Sequence, residues 1–387
     1  MDHIELIATA PFGLEAVVAR EVKQLGYEDV TVENGRLTFI ADLSAICRTN
    51  LWLRTADRVL VKMGSFTALT FDELFEQTKA LPWDEWIPVD AEFPVQGKSV
   101  KSRLFSVPDC QAIVKKAVVE KLKQRYHQEW FAETGPRYNI EVALLKDEAT
   151  LTIDTSGAGL HKRGYRKLGS TAPLKETLAA ALVLLSYWRP ERPLIDPLCG
   201  SGTIPIEAAL IGLNIAPGLG REFAAEKWPV IPASLWKEAR VEARHLISHD
   251  RELEITGSDN DSEVLSLARH HAEQAGVDDQ VLFRHRSLAN YSSAYPYGCV
   301  ITNPPYGERL GESGAVENLY REMGRVFQAF GTWSFYILTA YPGFERLFGR
   351  PADRKRKLYN GRIECHYYQF FGPRPPRDLP VDIRQAE

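Results

Sequence analysis

The chain has 387 residues, of which 44% are apolar, 10% aromatic and 25% charged; this is ordinary globular usage and more than one domain's worth of chain. Its 47 basic and 51 acidic residues leave a formal charge of −4, so affinity for a polyanion has to come from local clusters of cations. Five cysteines with no C-x-x-C pair and no matching histidine spacing argue against a disulfide framework or a zinc site; no metal is expected, and reduced thiols suit the cytoplasm.

The start Met1-Asp-His-Ile-Glu-Leu carries acids and lacks the basic opening of a signal peptide. The longest apolar run, Leu178 to Trp188, is too short for a membrane span. The first sixty residues predict a strand at Ile4–Thr9, a helix at Leu14–Leu25, strands at Val30–Glu33 and Arg36–Ile40 and a helix at Asp42–Asn50, followed by the apolar stretch Arg58–Gly64. Asn34-Gly35 reads as a type I′ hairpin turn. The pattern is that of a small α+β unit, and the first domain is set at 1–64.

Residues 65–160 repeat helix and strand: Asp72–Ala80, Glu92–Gln96, the long helix Pro108–Arg125, then strands Arg137–Leu145 and Glu148–Asp154 around Lys146-Asp147. This stretch places Lys98, Lys101 and Arg103 just past a strand and Lys115 and Lys116 on a helix, a basic part of an acidic whole. The run His161-Lys-Arg-Gly-Tyr-Arg-Lys167 interleaves cations with an aromatic. Such a run either engages phosphates and stacks on a base or is a solvated linker. Lys162, Arg163, Arg166 and Lys167 are candidates for nucleic-acid contact.

Residues 161–387 decide the fold class. After a helix at Pro173–Arg189 come strand Leu194–Asp196, helix Thr203–Leu213, strand Glu254–Ser258, helix Ser262–Ala275 and strand Val281–His285. Strand Cys299–Thr302, helix Val316–Phe330 and strand Ser334–Ala340 continue the series, and strands Lys357–Tyr359 and Ile363–Phe371 meet at Asn360-Gly361. Apolar strands alternating with helices imply a mostly parallel, doubly wound Rossmann-like sheet closed by a β-hairpin. Between Asn214 and Arg251 the anchors Phe223, Trp228 and Trp236 mark an ordered insertion with a helix at Ala233–His249.

Asp196-Pro-Leu-Cys-Gly-Ser-Gly-Thr203 lies between strand and helix, where open α/β sheets bind ligands. It lacks the Lys-Ser or Lys-Thr of a phosphate loop, and Pro205 stands where a dinucleotide fold has its third glycine. At the end of the second strand of this sheet, Asp259 suits a ribose diol and Asp261 a helix cap. The sharpest signal is Asn303-Pro304-Pro305-Tyr306, directly after an apolar strand. Its prolines stiffen the corner, so the Asn303 amide oxygen and the Pro304 carbonyl can accept both hydrogens of an exocyclic amine. Tyr306 then forms a flat wall for an extruded base.

With these motifs the C-terminal half resembles class I S-adenosyl-L-methionine-dependent methyltransferases that act on amino groups. Thr152 to Arg166 and Ala172 to Leu178 resemble the junction of a THUMP RNA-binding domain with its methyltransferase. The chain from about residue 1 to 372 is similar to the bacterial THUMP-containing RNA guanine-N2 methyltransferases, related to the N-terminal half of the 23S ribosomal RNA enzyme RlmL. The resemblance implies ferredoxin-like and THUMP domains that deliver RNA, ribosomal RNA above all, and methyl transfer to the guanine amine. It implies that Asp196, Pro197, Cys199, Gly200, Ser201, Gly202 and Thr203 line the methionine part of the cofactor, with Asp259 and Asn260 at the ribose. Asn303, Pro304, Pro305 and Tyr306 meet the target base. Where many class I enzymes have an aspartate after the third strand, this chain has Arg286-Ser-Leu-Ala-Asn290, so Ser287 and the Leu288 backbone are expected at the adenine. A second, fused methyltransferase activity is not expected. The same tetrapeptide also serves adenine-N6 methylation of RNA or DNA and methylation of a glutamine amide, and a noncatalytic RNA-binding protein with this fold is the remaining alternative.

Overall fold

The computed structural model describes residues 3–166, 174–293, 295–306 and 313–376. They cluster into two compact units, one drawn from Met1–Ala10, Val18–Leu160 and Arg221–Glu242, the other from Pro11–Val17, His161–Gly220 and Ala243–Glu387. Elements are numbered in chain order.

Alternating apolar residues put β1 (Ile4–Thr9), β2 (Val30–Glu33), β3 (Arg36–Ala41) and β4 (Arg58–Thr67) in the first unit, with helices α1 (Glu15–Gln24, shared with the second unit) and α2 (Leu43–Trp52) between them. Then follow α3 (Phe71–Ala80), α4 (Trp83–Trp86), β5 (Val95–Val100), α5 (Val107–Tyr126), β6 (Asn139–Leu145) and β7 (Glu148–Asp154). The strands form one sheet in the order β2-β3-β1-β4-β7-β6-β5. The joining strand is β4, which runs past the predicted Gly64 to Thr67 and pairs antiparallel with β1 on one edge and β7 on the other. Lys98 sits inside β5, which is shifted C-terminally from the predicted Glu92–Gln96.

The turn chemistry also differs from the expectation. At Asn34-Gly35 only Gly35 takes a left-handed φ, +77°, so the turn is not type I′. The two consecutive positive φ values fall instead at Lys146 (52°) and Asp147 (67°), between β6 and β7. There the Asp147 carboxylate accepts from Arg103 N–H at 2.6 Å and its carbonyl from Ala68 N–H at 2.9 Å, contacts that hold a conformation side chains otherwise resist. The aromatic anchors of Arg221–Glu242 pack within this unit: Trp228 stacks on Tyr138 at 4.3 Å and donates its indole N–H to Arg137 O, and Phe223 stacks on Trp236 at 5.5 Å.

The second unit follows the predicted alternation: α6 (Glu176–Leu184), β8 (Leu194–Asp196), α7 (Thr203–Gly212), α8 (Ala233–His245, shared with the first unit), β9 (Ile255–Asp259), α9 (Ser262–Ala275) and β10 (Val281–His285). It closes with β11 (Cys299–Thr302), α10 (Ser313–Gln328), β12 (Ser334–Thr339), α11 (Phe344–Phe348), β13 (Arg354–Asn360) and β14 (Ile363–Phe370). The sheet order is β10-β9-β8-β11-β12-β14-β13, with the first five strands parallel, β14 antiparallel to them, and β13 antiparallel to β14. The winding reverses between β8 and β11, and a crevice at the carboxyl ends of those strands is where such sheets take ligands. Helices α6 and α7 are buried nearly all round, which their small apolar residues permit.

Candidate active site

The two motifs stand on neighbouring strands, because β8 and β11 pair in parallel with Val300 opposite Ile195. Asp196, which ends β8, is therefore level with Ile301, and Asn303 follows two residues further along at the same carboxyl end of the sheet. Between β8 and α7 the loop turns on Gly200 (φ +52°) and Gly202 (φ +80°). A Cβ on Gly200 would meet nothing within 4 Å, whereas one on Gly202 would lie 2.9 Å from Phe283 and 3.0 Å from Ala268. One glycine thus faces open space and the other is wedged against α9 and β10.

Asp259 at the end of β9 accepts from Gly200 N–H at 3.0 Å and from Asp261 N–H at 3.1 Å, so its carboxylate ties the loop to the neighbouring strand. Asp261 caps α9 through Glu263 and Val264 N–H, as its position suggested. Asn260 is exposed, and its carbonyl lies 3.0 Å from His285 Nε2. Ser287 is exposed at the start of a short 3₁₀ turn over Leu288–Asn290, and Leu288 points its side chain into the core. Pro197, Cys199, Ser201 and Thr203 are buried. Burial pushes the Asp196 carboxyl up to about 7, with the nearby Asp259 adding to the rise and Thr302 and the Leu198 N–H opposing it. The Cys199 thiol is held far above its usual range, first by burial and then by the two aspartates, which makes it a packing residue rather than a nucleophile.

At the second motif, Asn303 Oδ1 is buried and, among the described residues, has no hydrogen-bond partner. An acceptor left so costs roughly 1–3 kcal/mol, a cost that a ligand N–H reaching it would remove. The corner is braced by residues that sequence reasoning missed. Tyr320 of α10 donates to Pro305 O at 3.0 Å and lies 2.8 Å from the Thr339 hydroxyl of β12. Asn360, at the end of β13, donates to the Tyr306 hydroxyl at 2.8 Å. Tyr306 is only 4% exposed and belongs to the core, so as described it is a buried brace rather than an open wall for a base. His271 of α9 was also missed: it is fully buried, with Nδ1 3.2 Å from Ser201 O of the glycine loop. Its place among Leu265, Ala268 and Ala272 on one helical face was the only trace in the sequence.

The basic candidates divide. Arg163 is not a phosphate-facing cation: it is 4% exposed and forms a buried ion pair with Glu207 of α7, whose carboxylate also accepts from Tyr165 OH at 3.1 Å. Arg166 likewise turns inward, to Thr203 Oγ1, Leu174 O and Glu176. The sequence displays the cations of this run but not the acids that helices α6 and α7 aim at them. Lys115 is committed to Glu133 and Phe93 O and lies 3.5 Å over the Phe93 ring. Lys98 is exposed although paired with Glu141, and Lys101, Arg103, Lys116 and Lys162 are exposed. Lys167 lies outside the described residues. Among the described residues no group of three or more His, Cys, Asp or Glu could hold a metal, and no helix is long and apolar enough to cross a membrane.

Residues 163–369, more than half of the chain, match the family described as RMKL-like, methyltransferase domain. The chain belongs to that family. Ahead of this RMKL-like methyltransferase domain, residues 5–60 match an RlmL ferredoxin-like domain and residues 68–154 a THUMP domain. The chain is 54% identical to the provisionally named RNA methyltransferase YpsC of Bacillus subtilis over 97% of its own length and 98% of that protein. It is 34% identical to the ribosomal RNA large subunit methyltransferase K/L of Syntrophotalea carbinolica over 95% of its length and 53% of that protein. A crystal structure from Listeria monocytogenes, described as a predicted N6-adenine-specific DNA methylase, shares 56% identity with a TM-score of 0.93 over 96% of this chain and 97% of that one. SMU.472, described as a methyltransferase by provisional assignment and crystallised with SAH, shares 46% identity with a TM-score of 0.93 over 97% of this chain and 100% of that one. This RMKL-like protein is a methyltransferase that uses S-adenosyl-L-methionine. The residues present fit that group: a Cβ on Gly200 would meet nothing within 4 Å, and Asn303 keeps a buried acceptor with no partner among the described residues.

Proposed function

We propose that this protein transfers a methyl group to the exocyclic N2 amine of a guanine in RNA, with 23S ribosomal RNA as the substrate and the cytoplasm as its place of work. Residues 1–64 and 65–160 bear the RNA, and 161–387 carry the chemistry. The observation that carries the reading is the buried Asn303 Oδ1 just past β11, which has no hydrogen-bond partner among the described residues, at the same end of the sheet as Asp196. Support for RNA comes from the THUMP match and from the rRNA methyltransferase K/L relative.

Bound S-adenosyl-L-methionine supplies an electrophilic methyl group, and the loop Asp196–Thr203 with Asp259 would hold it. The lone pair of a guanine N2 amine is delocalised into the ring and is a poor nucleophile. Asn303 Oδ1 accepts one amine hydrogen and thereby favours the pyramidal form, in which the lone pair is localised on nitrogen. Because the acceptor is already buried and held by the proline corner, little reorganisation accompanies the step. Tyr320 and Asn360 keep that corner in place through Pro305 and Tyr306. Methyl transfer leaves the thioether S-adenosyl-L-homocysteine and a methylated nitrogen that, cationic and therefore acidic, loses its proton to water, so no strong base among these residues is required.

The test is nucleoside mass analysis of ribosomal RNA from cells lacking the protein and from cells restored with wild type or Asn303→Ala. N2-methylguanosine is expected to disappear on deletion and to return only with wild type. Purified Asn303→Ala should turn over about 10² times more slowly, as when one oxyanion-hole contact is lost, with cofactor affinity unchanged. Loss of N6-methyladenosine instead would replace guanine by adenine, the reading favoured by the description of the Listeria structure.

A further inference from the structure

The edge of the catalytic sheet carries a feature that the sequence reading assigned only to a hairpin. β13 is the terminal strand, and it opens with four consecutive cations, Arg354-Lys-Arg-Lys357, in a chain whose net charge is −4. Lys357 is paired with Glu364, but among the described residues no carboxylate pairs with Arg354, Lys355 or Arg356. Because β14 is antiparallel to β12, and β13 antiparallel to β14, β13 runs in the direction of the parallel strands. Its cations therefore lead toward the carboxyl ends of the sheet. The strand ends there at Asn360, which holds the Tyr306 hydroxyl of the proline corner.

Aromatic surface lies at the same end. Tyr359 is partly exposed, with Lys357 Nζ 5.5 Å over its ring and Phe12 edge-on at 5.9 Å. Phe12 is 53% exposed, although the loop bearing it is tightly seated. Gly13 has φ +89°, and a Cβ there would lie 2.8 Å from Lys357 O, so only glycine lets the loop sit this close to β13. The fold thus presses the loop onto the strand and still leaves a phenylalanine facing water. Exposed cations interleaved with exposed rings form a surface suited to single-stranded nucleic acid, whose phosphates take the charges and whose bases take the rings.

We propose that the β13–β14 hairpin and Phe12 bind the single-stranded RNA flanking the target nucleotide, with bases against Phe12 and Tyr359 and phosphates along Arg354, Lys355 and Lys357. This rests on the RNA reading above and adds a binding surface on the catalytic unit itself. A charged edge strand can also serve only to block pairing with another sheet edge, and the experiment separates the two.

Full-length protein is titrated into a fluorescein-labelled single-stranded RNA of mixed sequence, about 12 nucleotides long to span a typical single-strand site, at several salt concentrations. Phe12→Ala and Tyr359→Leu should each weaken binding about tenfold or more, the usual loss of one base stack. Tyr359→Phe, which keeps the ring, should bind like wild type. Arg354→Gln with Lys355→Gln should lower the slope of log affinity against log salt by about 1.4, two single-strand phosphate contacts. Melting temperature and S-adenosyl-L-methionine affinity should stay at wild-type values in all four. Equal affinity and equal salt slope throughout would overturn the proposal and leave the cations as edge protection, with the RNA reading intact. Loss of affinity in Tyr359→Phe as large as in Tyr359→Leu would also overturn it, since stacking would then not be the cause. Wild type that binds no RNA would remove both this proposal and the reading beneath it.

Discussion

The two glycines of the proposed cofactor loop make the most discriminating mutational pair. In Gly202→Ala a side chain is forced to φ +80°, costing about 1–2 kcal/mol. The added Cβ would also lie 2.9 Å from Phe283 and 3.0 Å from Ala268, overpacking that costs about 1–3 kcal/mol. Gly200→Ala pays only the backbone cost, since nothing lies within 4 Å of its Cβ. The difference, about 1–3 kcal/mol, corresponds to roughly 2–12 °C in melting temperature for a unit of this size. Scanning calorimetry without cofactor should therefore show Gly202→Ala well below Gly200→Ala. Calorimetric titration with S-adenosyl-L-methionine should then find Gly200→Ala the weaker binder for its stability, because its new methyl group stands in open space at the loop proposed to hold the cofactor. Equal melting temperatures, or Gly200→Ala with unaltered cofactor affinity, would refute this assignment of one glycine to packing and the other to ligand approach.

Two further outcomes follow from buried charge. Asp196 has a folded pKa of about 7 against 3.8 for an unhindered carboxyl. The native state therefore binds the proton more tightly, and stability falls as pH rises from about 4 to about 7. By pH 8 the ionised group costs on the order of 4 kcal/mol, from about three pKa units at 1.36 kcal/mol each. Denaturant melts of Asp196→Asn and wild type across pH 5–8 should diverge, the variant gaining relative stability as pH rises, and parallel curves would show that Asp196 ionises freely in the folded protein. Arg163→Ala leaves Glu207 buried without its cation and should cost about 3–5 kcal/mol. Urea melts should register that loss, with Arg163→Met/Glu207→Leu recovering most of it; a variant of full stability that bound RNA more weakly would return Arg163 to the RNA surface.

The fold of this protein was legible wherever its signals lie in contiguous residues. Asp196–Thr203 and Asn303–Tyr306 each combine a strand end with glycines or prolines whose backbone restrictions can be read without coordinates, and the alternation of apolar strands with helices specified a doubly wound sheet. Local patterns even placed the cap at Asp261. What they could not supply was the partner across space. The inward turn of Arg163 and Arg166 depends on acids from α6 and α7, the bracing of the proline corner on Tyr320, Thr339 and Asn360, and the loop support on His271. A run of cations has the same sequence whether it faces phosphate or a buried glutamate. Only the packing of α7 against its strand removes water from Arg163 and makes an internal carboxylate its counter-ion. For the same reason the joining of two N-terminal modules into one sheet was decided by β4, whose second edge finds β7 far along the chain. Pairing of that kind is a property of the assembled sheet, since any apolar strand edge offers the same backbone donors and acceptors until a neighbour with matching register arrives.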